Sequence, residues 1–215
     1  MISTPEQLVI VGAGGHGLDV LWAAQAMGTR VVLGYADSNA ARIGEIHYGQ
    51  PILCLPEDVP ARFGPLVRFH LAVGDNRDRM ALAAQLESSG LRAATVIHPD
   101  ARLAPGASVS EGSYVAAGAT LAPHCALGRH VIVNVNAVIG HQSKLADFAQ
   151  IGPGAAISGG CHLGLGTFVG ANACLHQGVE TGDWASVAAN SFAVTRVGPG
   201  ETVMGIPART IFHRK

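Results

Sequence analysis

Two places in this chain combine residue type and spacing in a way that could do chemistry. One is His141, which follows Val138-Ile139-Gly140 and has Asn134, Asn136, Gln142 and Ser143 around it, a polar cluster interrupting an apolar stretch. Imidazole is the side chain best suited to take a proton near neutral pH, so a general base is one reading; position alone favours a surface histidine without a role. The other is the run Gly12-Ala13-Gly14-Gly15-His16-Gly17, which satisfies G-x-G-x-x-G, with Asp37 twenty residues beyond Gly17. It follows the apolar segment Leu8-Val9-Ile10-Val11 and opens a helical stretch. That context predicts a tight turn, close backbone approach and a helix N-terminus facing a phosphate.

Other chemistries find less support. The ten histidines invite a metal, but His98, His124, His130, His141, His162 and His176 include no pair eighteen residues apart, the spacing that would stack them on the fold described next. No metal is expected within one chain, although a site between subunits stays open. No G-x-S-x-G elbow is present. Cys54, Cys125, Cys161 and Cys174 form no C-x-x-C pair and read as small apolar residues of a reducing cytoplasm.

His141 sits inside a repeat of six. From Ile97, every sixth residue up to Leu175 is aliphatic, fourteen positions in succession. Four places after each comes a second register, Ala101, Ala107, Ser113, Ala119, Cys125 and onward, nearly all small. Neither helical spacing nor simple alternation gives a period of six. The pattern predicts a left-handed parallel β-helix of triangular section, with three hexads to a coil and about five coils from Ile97 to Phe192. Aliphatic residues fill the axis, small ones sit where the wall turns, and Gly106, Gly112, Gly118, Gly128, Gly154 and Gly164 supply permissive corners. Outer walls rich in alanine, valine and glycine call for a partner, and a closed homotrimer is expected over a monomer.

The first ninety-five residues follow another rule. Strand, glycine turn, helix (Leu18 to Met27) and strand (Val31 to Tyr35) form a βαβ unit. A further apolar stretch, Leu66 to Val73, stops at Gly74-Asp75-Asn76 ahead of a helix from about Arg77 to Ser88. The fold expected is therefore an α/β half-Rossmann domain over 1–95, binding a nucleotide diphosphate, followed by a β-helix over 96–215. Ninety-five residues are too few for both halves of a dinucleotide fold.

Composition bounds the rest. Hydrophobic residues are 48% and charged residues 13%, against about 25% charged in average proteins, which excludes a disordered chain. A net charge of −1 without a basic cluster leaves no means of binding nucleic acid. No apolar run of about twenty residues predicts membrane insertion, and the opening MISTPEQLVIVGAGG lacks a basic region and signal core. A cytoplasmic protein is expected.

The residues also carry a resemblance. The chain is similar to the bacterial nucleotide-amino-sugar N-acetyltransferases of the left-handed β-helix superfamily, the group related to sialic-acid O-acetyltransferase-like proteins. The likeness rests on Gly12-Ala13-Gly14-Gly15-His16-Gly17, Asp37-Ser38, Val73-Gly74-Asp75-Asn76, the unbroken hexads, the segment from Asn134 to Gly160, and Gly205-Ile206-Pro207-Ala208-Arg209. Within the group, length and the Asn134–Gly160 segment most resemble the GDP-perosamine N-acetyltransferases. The resemblance implies that His141 is the base, with Gln142 and Asn134 beside it. It implies that Gly14, Gly15, His16, Asp37, Ser38 and Gly74 hold the nucleotide sugar. It further implies that Gly159, Ala171 and Ala189 line the pantetheine arm of acetyl-CoA, a co-substrate, with no tightly bound cofactor. Two positions depart from the pattern: Gln142 stands where many relatives have Asp or Glu, and Gln150 where some have a second histidine near the acetyl group. An amide can orient the ring but supplies no charge to an imidazolium.

The expected reaction is direct acetyl transfer to the amine of a nucleotide-linked 4-amino-4,6-dideoxy sugar, the step the resemblance implies in O-antigen and lipopolysaccharide assembly. Backbone N–H groups near Gly159 would serve the oxyanion, and no cysteine or serine has a partner for a covalent intermediate. The rivals are a UDP-linked acceptor, a nicotinamide-dependent oxidoreductase on a β-helical stalk, and a non-catalytic nucleotide-sensing trimer.

Overall fold

The computed structural model describes residues 6–213, which divide into two compact units, one ending at Pro99 and the next beginning at Asp100. The first unit contains β1 (Glu6–Val11), α1 (Gly15–Met27), β2 (Arg30–Ala36), β3 (Ile46–His47), β4 (Gln50–Cys54), α2 (Val59–Phe63), β5 (Arg68–Leu71), α3 (Asn76–Ser88) and β6 (Arg92–Ala93). The sheet order is β3-β4-β2-β1-β5-β6, parallel except for the β3–β4 hairpin. Strand β1 is central, and Leu8, Val9 and Ile10 are fully buried, the continuous apolar run expected of a strand covered on both faces. Glu6 ties three strands together, accepting from Arg30 Nε and Arg68 Nε at 2.7 Å each. Helix α1 starts at Gly15 rather than Leu18 and stops at Gly28, whose φ of 64° closes it in the left-handed region. Strand β4 escapes the pattern reading because Pro51 and the short GlnProIleLeuCys run give no alternation.

The second unit is a parallel β-helix in which the hydrogen-bonded register step is eighteen residues, shortening to sixteen at the last, where Ser186 pairs with Thr202. Its first wall carries Tyr114–Val115, Ile132–Val133, Gln150–Ile151, Phe168–Val169 and Ser186–Val187. The second carries Arg102–Leu103, Thr120–Leu121, Val138–Ile139, Ala156–Ile157, Cys174–Leu175 and Phe192–Ala193. The third carries Ser108–Val109, Ala126–Leu127, Lys144–Leu145, His162–Leu163 and Glu180–Thr181. Aliphatic partners such as Leu121, Ile139, Ile157 and Leu175 stack inward with at most 1% exposure, so the hexad signal is the core itself. An antiparallel pair, Glu201–Gly205 with Ala208–His213, closes the C-terminal end.

The corners correct the glycine reading. At every sixth residue from Gly106 to Asn190 φ lies between 54° and 78°. Gly106, Gly112, Gly118 and Gly154 fill such positions, but so do His124, Asn136, Gln142 and Trp184. Gly128 and Gly164 do not. They are glycine because the next coil passes close: a Cβ on Gly128 would lie 2.7 Å from Asp147 N, and one on Gly164 2.6 Å from Gly182 C. The small register is satisfied as well as small. Ser143 Oγ donates to Ser158 O and accepts from Cys161 N, and Ser113 does the same five hexads earlier for Gly128 O and Val131 N.

Candidate active site

In the first unit the three glycines of the loop do different work. Gly12 has φ 110°, and a Cβ there would meet Ala72 O at 2.7 Å. A Cβ on Gly17 would overlap Gly12 O, so this glycine sets how closely α1 approaches the loop. Gly14 and Gly15 have nothing within 4 Å of where a Cβ would be, and neither has Gly74. Open space thus lies over the start of α1, whose first turn contains no acidic residue. That is the condition for accepting an anion there. His16 is within the first turn of α1, with Nδ1 3.7 Å from Asp19 Oδ2.

Asp37 does not face that space unengaged. Its Oδ2 accepts from Ala13 N at 2.9 Å and its Oδ1 from Asn39 N at 2.9 Å. Arg42, which the sequence reading missed, completes the clamp by donating to Ala13 O at 3.0 Å and approaching Asp37 Oδ2 at 3.4 Å. Asp37 therefore holds the glycine loop, and Ser38 lies in the turn it organises. Gly74 precedes Asp75, which caps α3 by accepting from Arg77 N and Asp78 N. Behind this turn Arg79, 1% exposed, donates to Val73 O and Asn76 Oδ1; burial lowers its pKa to about 10.

In the second unit the predicted residues other than Gln150 fall on the two edges of the second wall. His141 and Gln142 stand exposed on the trailing edge, between the second and third walls. Gln142 Oε1 lies 3.3 Å from His141 Nδ1. With Nδ1–H donating to that oxygen, Nε2 keeps its lone pair and is the basic atom. Gly159, one coil on, is the floor under this ring: a Cβ there would overlap His141 Cε1 and Nε2. His124, Asn136 and Asn172 instead lie over glycines of the preceding coil. His141 alone in this comparison leans toward the following one. Gly160 N donates to His141 O at 2.8 Å, pinning its backbone.

Asn134, Ala171 and Ala189 occupy the leading edge, between the first and second walls. Asn134 Nδ2 donates to Ile151 O at 3.1 Å, and Asn190 N donates to Ala171 O, which keeps the two alanines on adjacent coils. Gln150 stands on the first wall, in register with Ile132 and Phe168, and its Oε1 is buried without a hydrogen-bond partner. Within one chain, then, His141, Gln142 and Gly159 are brought together, while Asn134, Gln150, Ala171 and Ala189 lie across the wall from them. A groove lined by Ser110, Lys144, His162 and Glu180 runs along the third wall and includes none of them.

Cys54, Cys125 and Cys161 are buried, and burial raises each thiol, so none is a ready nucleophile. Among the described residues no group of three or more His, Cys, Asp or Glu could hold a metal, and no helix is long and apolar enough to cross a membrane.

Residues 7–86 match the PglD N-terminal domain. The acetyltransferase domain of PglB from Neisseria gonorrhoeae, solved with acetyl coenzyme A, is 30% identical, with 97% of this chain and 100% of that one covered and a TM-score of 0.90. The chain belongs to the hexapeptide-repeat nucleotide-amino-sugar N-acetyltransferases. Its second unit is accordingly a left-handed β-helix. PerB from Caulobacter crescentus, solved with CoA and GDP-perosamine, is 29% identical over 96% of this chain and 98% of that one, with a TM-score of 0.89. A histidine-to-asparagine variant of perosamine N-acetyltransferase from the same organism, with the same two ligands, is 28% identical over 96% and 97%, with a TM-score of 0.90. No curated protein matches the sequence.

Proposed function

We propose that this N-acetyltransferase moves the acetyl group of acetyl-CoA to the amine of a nucleotide-linked 4-amino-4,6-dideoxy sugar, with GDP-perosamine as the favoured acceptor and His141 as general base. The observation that carries the reading is the pairing of His141 with Gly159: a basic nitrogen held at the edge of an open wall, over a position cleared of its side chain. The nucleotide is held at Gly14, Gly15 and Gly74 in the first unit. In the second, His141 Nε2 takes the proton of the amine as its nitrogen attacks the thioester carbonyl, and the thiolate of CoA leaves. Gly159 N–H donates to no acceptor among the described residues and is the available donor for the oxyanion. Buried thiols favour this direct route over a covalent intermediate.

A homotrimer completes the site in this reading. The outward residues of the second wall beyond Arg102 are Thr120, Val138, Ala156, Cys174 and Phe192, uncharged, with Val138 42% exposed. Packing such walls edge to edge would set Ala171 and Ala189 of one chain beside His141 of the next. Mass measured in solution by light scattering should correspond to three chains. Both substrates are cytoplasmic metabolites, which is where this reading places the enzyme.

The deciding experiment follows thiol release from acetyl-CoA with GDP-4-amino-4,6-dideoxymannose beside a UDP-4-amino sugar, for wild type and His141→Asn. The expected result is release with the GDP sugar, reduced about 10²-fold or more in the variant. Release with the UDP sugar alone would overturn the perosamine assignment; a variant within about threefold of wild type would remove the base.

A further inference from the structure

We infer that Gln177 orients the acceptor amine, its amide oxygen accepting the amine proton that His141 does not take. This role rests on the reading of His141 as base and deepens it. An amine nucleophile differs from a hydroxyl in carrying two protons. One passes to His141 Nε2 as the nitrogen attacks the thioester carbon; the other stays on the nitrogen and ends on the product amide, while CoA leaves as thiolate. During attack the nitrogen gains positive charge, so an acceptor for its second N–H acts most strongly in the transition state.

The eighteen-residue step places that acceptor. Val138, Ala156 and Cys174 pair in register, and the ladder continues round the trailing edge, where Gly160 N donates to His141 O at 2.8 Å and Gly178 N to Gly159 O at 3.0 Å. His141, Gly159 and Gln177 therefore form one column. The imidazole occupies the place that a side chain of residue 159 would take, with Cε1 and Nε2 against it. The next side chain of the column is Gln177, one coil on, about 4.8 Å away by strand spacing. Four bonds carry its amide oxygen about 5 Å from Cα. A nitrogen about 3 Å from Nε2 on the open side of the wall is thus also within reach of that oxygen.

Gln177 is exposed, and its side chain makes no hydrogen bond among the described residues. The groups around it are engaged or missing. His176 Nδ1 lies 3.2 Å from Gln177 O, with its ring 6.2 Å from that of Phe192. Gln142 Oε1 faces His141 Nδ1. Gly160 and Gly178 have nothing within 4 Å of where a Cβ would be, which leaves the flank of the column open. Ser158 Oγ also lacks a partner among the described residues, but it belongs to the column of Gly140 and His176, one residue away from the ring.

Thiol release from acetyl-CoA tests this with Gln177→Leu, Gln177→Glu and Ser158→Ala, using whichever of the GDP- and UDP-linked 4-amino sugars wild type accepts. Leucine keeps the bulk and removes the polar atoms; glutamate keeps the acceptor and removes the donor. Rates are taken on the high-pH plateau of each variant, where the effect of a carboxylate on the protonation of His141 no longer enters. The side chain is exposed, so the variants should fold. The expected result is a kcat lowered about tenfold or more in Gln177→Leu and recovered to within about threefold of wild type in Gln177→Glu. Ser158→Ala should stay within the same threefold, and the KM for acetyl-CoA and the melting temperature should hold in all three. A Gln177→Leu enzyme as fast as wild type overturns the assignment. So does a Gln177→Glu enzyme as slow as Gln177→Leu, which would make the amide a donor to the oxyanion, and so does an equal loss in Ser158→Ala. Wild type inactive on both sugars, or undiminished by His141→Asn, would bring down the proposed reaction or its base, and Gln177 with it.

Discussion

The glycine loop at Gly12–Gly17 and the edge bearing His141 each depend on a glycine whose Cβ would collide with a neighbour. In the loop, Gly17 meets the carbonyl of Gly12; on the edge, Gly159 meets the imidazole of His141. What holds each arrangement differs. The loop is clamped by an ionised pair, Asp37 and Arg42, each bonded to Ala13. The imidazole is held by a neutral amide, Gln142, and by the absence of one methyl group. The loop is thus held by charge within its own unit, and the ring by neutral contacts on an exposed edge.

The comparison breaks most visibly at the two glycines. Gly159→Ala should push the ring aside and leave the coil intact, because the obstructing atoms end a flexible side chain. A displacement of about 1 Å can lower a rate about 10²-fold, so kcat should fall by that order while the melting temperature stays within about 2 °C. Gly17→Ala collides with backbone and should instead destabilise the fold, by about 1–3 kcal/mol. Melting curves and steady-state rates on both variants check the contrast. Equal losses of melting temperature would dissolve it.

Next in size is the clamp. Asp37→Ala leaves Ala13 N without its carboxylate and Arg42 with Glu45 as its remaining counter-charge. The nucleotide-sugar KM should rise about tenfold, with kcat at saturation within about threefold, since a clamp that only shapes the loop acts on binding. An unchanged KM would mean the loop keeps its form without the charge. A fall in kcat alone would place Asp37 in the chemistry.

These residues also show what could be read from the chain and what could not. The hexads were legible because each aliphatic position is a core position, repeated without interruption from one wall to the next. The eighteen-residue step was equally available, and it separates His141 from Gly159; applied only to histidine pairs, it missed that a glycine can be the partner of a ring. Gly128 and Gly164 look like corner glycines from composition but are set by the close passage of another coil, which no local pattern reveals. Arg42 and Arg79 gave no signal, because both act on backbone carbonyls, Ala13 O and Val73 O, that every residue type presents. Separate placement of Asn134 and Gln150 from His141 follows from the same period, since positions in one stretch of sequence turn to different walls every six residues.

The smallest effect concerns the charge that ties the first sheet. Partial burial works against the ionised form of Glu6, but the bonds from Arg30 and Arg68 outweigh it, and its pKa falls below the ordinary 4.5. A lowered carboxylate pKa adds stability that is fully present above the unfolded value and lost as pH falls through the folded one. Glu6→Gln lacks that contribution at neutral pH, so wild type should melt higher at pH 7 and the two curves should converge as the pH falls through the lowered value. Glu6 is 36% exposed, which limits the difference to about 1 kcal/mol, or about 2–4 °C. The strand ladder of the second unit is built mainly from backbone bonds and apolar columns, and its Arg129–Glu111 pair is looser, at 3.8 Å, than the two Glu6 bonds at 2.7 Å, so the same acidification should loosen the sheet before the solenoid. Melting followed from pH 7 to pH 3 by Trp22 fluorescence, with Trp184 replaced by Phe, against far-ultraviolet dichroism separates the two. A wild-type advantage that stayed constant across that range would show that Glu6 contributes through packing, and would remove charge as the feature that distinguishes the first unit from the second.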